Sequence, residues 1–499
     1  PCGARSWLWR GGAFSGFGSK ATLGPGGCAA LPPRGAAPGR GVPGHPPPLV
    51  LGAFFGLLSA CAAVPDVGPK PVPAAAESLE SAASFADAAG AWPVEGWWQG
   101  FGDAQLDTLI AEGLKGSPDM ATAAARVRAA EALAQQAGAA LLPRVGVEGS
   151  AGGTQQSKNL GIPPAFVPDG IQDTGHVAAT FSLDFDLWGK NRAALAAATS
   201  EAEAARVDEA QARLMLTTGI ASAYADLAGY YHALDVAKEA VRVRGASAEL
   251  SGRRAAAGIE NQSAERQAES RAASARADVA ALDEAIATTR HRLAALVGAG
   301  PDRGLSIAPP TLASPGIGLP PQAGIDLVGR RPDIVAAKLR AEAAAKRIDV
   351  ARADFYPNIN LSALIGLQSL GLSNLFKSGS DYGNFGAAVS LPIFDGGRLQ
   401  GRYRGARADF DSAVANYDRT LIAALRDVAD IVTSRAATER QLAERQDALQ
   451  AATDAARLAG LRHRAGLQNS LDLRPVIKLC GDPMAATQFN HGRQAEELV

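Results

Sequence analysis

The chain has 499 residues, and 49 basic against 50 acidic side chains leave a formal charge of −1. That balance excludes a whole-chain polyanion binder, so no nucleic-acid partner is expected. Aromatics make up only 6% of an otherwise alanine-rich apolar fraction, which disfavours an aromatic-lined substrate core and favours long, closely packed helices.

Residues 1–48 carry no initiator methionine and are dominated by Gly, Pro, Arg and Trp; they read as a leader foreign to the folded protein. Residues 49–60 hold an apolar run from Leu49 to Leu57 followed by Leu58-Ser59-Ala60. The run is too short to span a bilayer as a helix and suits a signal-peptide core. Small residues before Cys61 match a bacterial lipobox, in which the thiol is acylated and becomes the mature N-terminus. Cys61 is therefore the expected lipid attachment point, with no other cofactor. Ala62 follows it rather than an aspartate, which points to the outer membrane. Residues 61–95 form the tether.

A first unit spans 96–300. Leu106, Leu109, Ile110 and Leu114 recur at helical spacing until Pro143. Two strands follow, at about 144–153 and 175–188. In the second, Val177, Ala179, Phe181, Leu183, Phe185 and Leu187 share one face, and His176, Ala178, Thr180, Ser182, Asp184 and Asp186 the other. Such alternation suits a strand between an apolar and an aqueous phase. From Gly189 the chain runs without proline to Pro301, with a break at Gly258. About seventy helical residues would make a rod on the order of 100 Å long.

After a Pro/Gly-rich linker, 301–332, the pattern recurs over 333–472: a helix to Pro357, strands at about 358–370 and 382–395, Gly397, then another long proline-free segment. Gly189 matches Gly397 and Gly258 matches Gly466, both offset by about 208 residues, which marks a tandem helix–strand–strand–helix repeat. Residues 473–499 break it. They hold prolines and no helical stripe where the first unit has a helix of about forty residues, so they read as a tail replacing the last helix. The flank left bare by that loss should disfavour assembly.

Four strands with one lipid-compatible face cannot lie in a membrane as an open sheet, and closed membrane barrels have at least about eight strands. A barrel shared between chains is required; three chains give twelve strands. The competing arrangement, a soluble sandwich beside a helical bundle, seldom alternates with such rods.

WWQGFGDAQLDTLI, RRPDIVAAKLRAEAAAKRIDVARADFYPNINLSA and VSLPIFDGGR resemble the outer-membrane efflux factors, the TolC-like channels, in their lipoprotein branch, over about residues 96–472. The resemblance implies an α+β membrane protein: a homotrimer with a twelve-stranded β-barrel in the outer membrane, continued by a long periplasmic α-helical barrel. It further implies a periplasmic adaptor and an inner-membrane transporter of the resistance-nodulation-division type as partners, and drugs or other small molecules as cargo. Its register places Asp472 at the first aspartate of the periplasmic gate. His463 and Gln468 stand where other members have a tyrosine and an arginine, and Pro475 stands at the second aspartate position. An exit duct for protein secretion and a non-channel periplasmic lipoprotein or adaptor are the alternative readings.

No catalytic constellation appears: there is no Cys/His pair at metal spacing and no Gly-x-Ser-x-Gly elbow. The Asp184/Asp186 pair is expected to face the channel lumen near the barrel's periplasmic rim, so no enzyme and no metal site are expected.

Overall fold

The computed structural model describes residues 64–466 apart from 82, 85–93, 160, 162 and 314–328. The chain divides into two units, 1–57 and 58–499, and every described residue lies in the second. Cys61, Asp472 and the tail 473–499 fall outside the described residues.

Two helices open the described fold, α1 (Ala104–Gly116) and α2 (Pro118–Ala139). Asp103 caps α1 by accepting from the Gln105 N–H at 2.9 Å. Ser117 caps α2, where Pro118 sits in the first turn and sacrifices no helical donor. Pro143 separates α2 from β1 (Arg144–Thr154), which is followed by β2 (Gln172–Phe185) and the long helix α3 (Lys190–Ala256). Helix α4 (Gln262–Leu296) runs back, capped by Asn261. The second unit repeats the order: α5 (Pro332–Ala353), β3 (Asn358–Leu370), β4 (Asp381–Ser390) and α6 (Arg398–Arg464).

The two long helices have 67 residues each, about 100 Å at 1.5 Å per residue. Both follow a left-handed glycine (Gly189, φ 74°; Gly397, φ 89°) and both precede another (Gly258, φ 67°; Gly466, φ 70°). A Cβ in that conformation is strained, so these glycines fix where the rods begin and end. Among the described residues no helix is long and apolar enough to cross a membrane, which says nothing about a β-barrel.

The strands form one antiparallel sheet in the order β1-β2-β3-β4, leaving β1 and β4 as edges. Two strands stop earlier than the sequence pattern alone suggested. β2 ends at Phe185 because the Asp186 carboxylate turns to the N-terminus of α3, accepting from Asn191 N–H and Arg192 N–H at 2.9 Å each. β4 ends at Ser390, shortly before Pro392, which has no N–H for a ladder. β2 and β3 approach closely at Gly366, where an added Cβ would stand 2.4 Å from the Val177 carbonyl oxygen. Gly366→Val is expected to force the central strands apart and to cut the yield of folded protein at least several-fold in an outer-membrane extraction, whereas Gly386→Ala, which meets nothing within 4 Å, should be tolerated.

A belt of packing surrounds the middle of the rods. In the first unit Phe101, Leu106, Leu109, Ile110, Ile220, Tyr224, Leu227, Leu293 and Ile307 form one core cluster. In the second, Ile334, Tyr417, Leu421, Ala424, Leu425 and Val428 form another, joined by Ala76. Residues 69–79 lie along α6: Arg407 donates to the Pro69 carbonyl at 2.9 Å, and Ala74 N–H donates to Asp418 at 2.8 Å. Traced towards the N-terminus, this strap climbs α6 from Leu425 and Tyr417 to Arg407, in the direction of the strands.

Candidate functional site

The register of the sheet turns four separate alternations into one surface. Val145 pairs with Phe181, Phe181 with Ala363, and Ala363 with Phe385. A second row joins Leu183, Leu361 and Ala387, and a third joins Phe185, Ile359 and Val389. Directly opposed residues share a face, so these rows make a continuous apolar wall. Among the described residues much of it is left bare: Phe385 is 90% exposed, Val147 77% and Ile365 73%. An exposed patch of that extent on a four-stranded sheet marks a lipid or partner surface. The strands, at 10 to 14 residues, are long enough to cross a bilayer when tilted.

The opposite face carries Arg144, Ser182 and Ser362 in one row and Asp184 opposite Asn360 in another. His176 pairs with Ser150, whose hydroxyl lies 2.8 Å from its Nδ1, and with Gln368. Leu364 opposite Thr180 and Leu370 opposite Thr174 are apolar exceptions. Two phases, one on each side, are the chemistry of a pore wall.

The structure gives Asp184 and Asp186 different surroundings. Asp184, on the polar face, accepts from Asn360 Nδ2 at 2.7 Å. Asp186 lies beyond the strand, and its carboxyl is held below the usual range: burial opposes ionisation, but the Arg192 and Asn191 N–H donors and the Arg192 guanidinium outweigh it. Asp395 does the same for α6, accepting from Gly397 N–H and Leu399 N–H at 3.0 and 2.8 Å. The sequence signal for this role is an aspartate a few residues before each left-handed glycine, present in both units and missed when Asp186 is read only by strand parity.

Where sheet meets helices, one buried carboxylate ties the units together. Asp354 accepts from Lys190 of α3 at 2.7 Å and from Arg402 of α6 at 2.8 Å. Further along, Arg347 meets Glu201 at 2.9 Å and Arg340 meets Asp208, so α5 is laced to α3. Trp188 stacks on Tyr356 with centroids 4.7 Å apart and donates its indole N–H to the Pro357 carbonyl. The aromatic and charged residues of the second motif thus brace the change from strand to rod.

The first motif builds a different joint, about 50 Å along α3. Asp103 accepts from the Tyr224 hydroxyl at 2.8 Å and from Thr311 N–H at 2.9 Å, while Gln105 bonds both the Tyr224 hydroxyl and the backbone of Ala308. Burial would raise the Asp103 carboxyl, but these donors hold it below its ordinary value. Burial and the adjacent carboxylate push the Tyr224 phenol up. Among the described residues no group of three or more His, Cys, Asp or Glu is placed to hold a metal.

A family model described as outer membrane efflux protein matches residues 109–299 and 326–475. The chain belongs to the outer membrane efflux protein family. Multidrug resistance outer membrane protein MdtP of Escherichia coli is 33% identical over 435 residues, covering 84% of this chain and 88% of MdtP. Fusaric acid resistance protein FusA of Burkholderia cepacia is 36% identical, over 70% of this chain and 67% of FusA. The solved outer membrane protein VceC of Vibrio cholerae is 41% identical, with a TM-score of 0.74 over 82% of this chain and 96% of VceC. As an efflux family member the chain is an outer-membrane channel component of a tripartite pump, extending into the periplasm. Its apolar strand wall and its rods, far longer than a bilayer is thick, are the physical means of that role.

Proposed function

We propose that three copies of this chain close a twelve-stranded barrel and a helical tunnel, a passive duct that carries drugs or other small molecules from periplasm to exterior. The observation behind this reading is the sheet with one continuous apolar face and two unpaired edges, β1 and β4. Open edges in hydrocarbon leave unsatisfied N–H and C=O groups at several kcal/mol each, so the edges of neighbouring copies must meet. Asp184 then faces the lumen near the barrel's periplasmic rim, Asp186 is withdrawn from it as the cap of α3, and Asp472 contributes to a carboxylate ring at the far tip that repels anions and favours cations. The duct performs no catalysis and uses no cofactor; the partners that energise it are a periplasmic adaptor and an inner-membrane resistance-nodulation-division transporter. Expression with such partners in an efflux-deficient host should raise drug tolerance, and unchanged tolerance across drugs that MdtP-like systems handle would count against a drug cargo.

A lipid on Cys61 is the proposed anchor. Pro69 lies against Arg407, nine residues into α6, about 14 Å from the start of that helix. The intervening residues can reach about 26 Å when extended, enough to return the thiol to the membrane surface. Cys61→Ser should abolish metabolic labelling with a fatty acid; persistent labelling would remove the anchor.

The tail carries a further proposal. In the first unit α4 packs Leu282, Ile286 and Leu293 into the core, whereas α6 presents Leu442, Leu449, Leu458 and Leu461 exposed. A helix patterned on Gln262–Leu296 and placed after Gly466 is expected to raise the yield of trimer from the outer membrane. An unchanged yield would overturn the reading of 473–499 as a replaced helix.

A further inference from the structure

A groove of about 540 Å³ runs between the start of α3 and the end of α5, lined by Trp188, Arg192, Lys346, Asp349, Arg352 and Tyr356. The two helices adjoin β2 and β3, the inner strands of the sheet. Neighbouring copies can pair only at β1 and β4, so trimer closure leaves this groove uncovered. Lys346, Asp349 and Ala353 line one stripe of α5, continued by Tyr356 just past its end, and Arg192 and Ala196 line one stripe of α3 beyond its cap Gly189. The groove therefore starts at the Trp188–Tyr356 stack beside the strands and extends about 15 Å along the rods.

Its two ends differ chemically. At the strand end Trp188 is 52% exposed, in company with exposed Leu142, Leu187, Ile393 and Phe394; such an aromatic and apolar girdle marks the boundary of the hydrocarbon. Beyond it stand three cations. Lys346 and Arg352 make no ion pair among the described residues, and Arg192 shares Asp186 with the backbone of α3. The carboxylates that face them are Asp349 on α5 and Asp186 at the cap, so a positive excess remains.

We propose that this groove holds the headgroup of an anionic glycerophospholipid from the inner leaflet of the outer membrane. The acyl chains would lie on the apolar strand wall, the glycerol against the Trp188–Tyr356 stack, and the phosphate between Arg192 and Arg352, with Lys346 meeting the outer part of the headgroup. Asp349 can accept from a headgroup hydroxyl, which favours phosphatidylglycerol over a bare phosphate. The proposal rests on the reading that the apolar strand face lies in lipid and that the girdle faces outward with it.

The test uses the full chain, purified from the outer membrane and reconstituted in vesicles of unlabelled phosphatidylcholine carrying either brominated phosphatidylglycerol or brominated phosphatidylcholine. Quenching of Trp188 is read as the difference between the wild type and Trp188→Phe. Brominated phosphatidylglycerol is expected to quench Trp188 at much lower mole fraction, and each of Lys346→Gln and Arg352→Gln should reduce that preference about five-fold. Should Trp188→Phe not fold, the headgroup-dependent part of the total quenching, compared between wild type and the two glutamine variants, reads the same quantity. Equal quenching by both lipids would overturn the headgroup site while leaving the girdle in the membrane. No quenching by either would overturn the outward placement and the site with it. Loss of the preference on adding soluble glycerol phosphate would show a free-phosphate site and overturn the lipid assignment.

Discussion

Phe181→Lys should destabilise the membrane-inserted protein by about 2–4 kcal/mol, the cost of a cation on the lipid face of a barrel near its midplane. Phe181 sits in the apolar row with Val145, Ala363 and Phe385, and a lysine there can reach water only by distorting the wall. Thr180, one residue earlier, belongs to the other face, opposite Gly146. Thr180→Lys should therefore be nearly neutral. Heat-modifiable migration of outer-membrane extracts would compare the two variants; equal loss, or equal tolerance, would contradict the assignment of faces. Leu361→Lys, in the adjoining row, should behave as Phe181→Lys does.

Asp103→Ala is expected to cost about 3 kcal/mol. It removes the cap of α1, worth about 1 kcal/mol, and leaves the hydroxyl of Tyr224, a residue with 0% exposure, without its carboxylate partner. Gln105 remains within 2.6 Å of that hydroxyl, so the loss is not that of a fully orphaned group. Because the folded Asp103 carboxyl lies below its ordinary value, its contribution is present above the unfolded pKa of about 4 and fades as pH falls through the lower folded value. Asp103→Ala should therefore lower thermal stability at neutral pH and flatten the acid limb of the stability curve. An unchanged acid limb would show that the network carries none of the linkage. Asp103→Asn, which keeps a capping oxygen, should lose less.

These two residues differ in how far the sequence alone reveals them. Phe181 declares itself by period two, because a strand between lipid and water repeats its chemistry every second residue, and the same logic located the strand pairs and the two glycine-bounded rods. The 208-residue offset set Gly189 against Gly397 and Gly258 against Gly466, and all four are left-handed. Asp103 was different. WWQGFGD is legible as a family mark, but the partners of Asp103, Tyr224 and Thr311, lie more than a hundred residues away, and no local period connects them. Asp354 was silent for the same reason: its two cations come from the starts of both rods. Asp186 shows the limit of parity, since a side chain just past a strand can turn to cap the next helix instead of continuing the face. Cys61 and Asp472, read from a lipobox and from repeat register, lie outside the described residues and stand on those sequence arguments.

The shared barrel is tested most directly by imaging the assembly itself. Electron cryomicroscopy of the full chain, extracted from the outer membrane into nanodiscs, should show three-fold symmetry and twelve strands, with β1 of one copy hydrogen-bonded to β4 of the next and the Phe181 row facing lipid. A sheet that closes within one chain, or an assembly of any other strand number, would contradict the account.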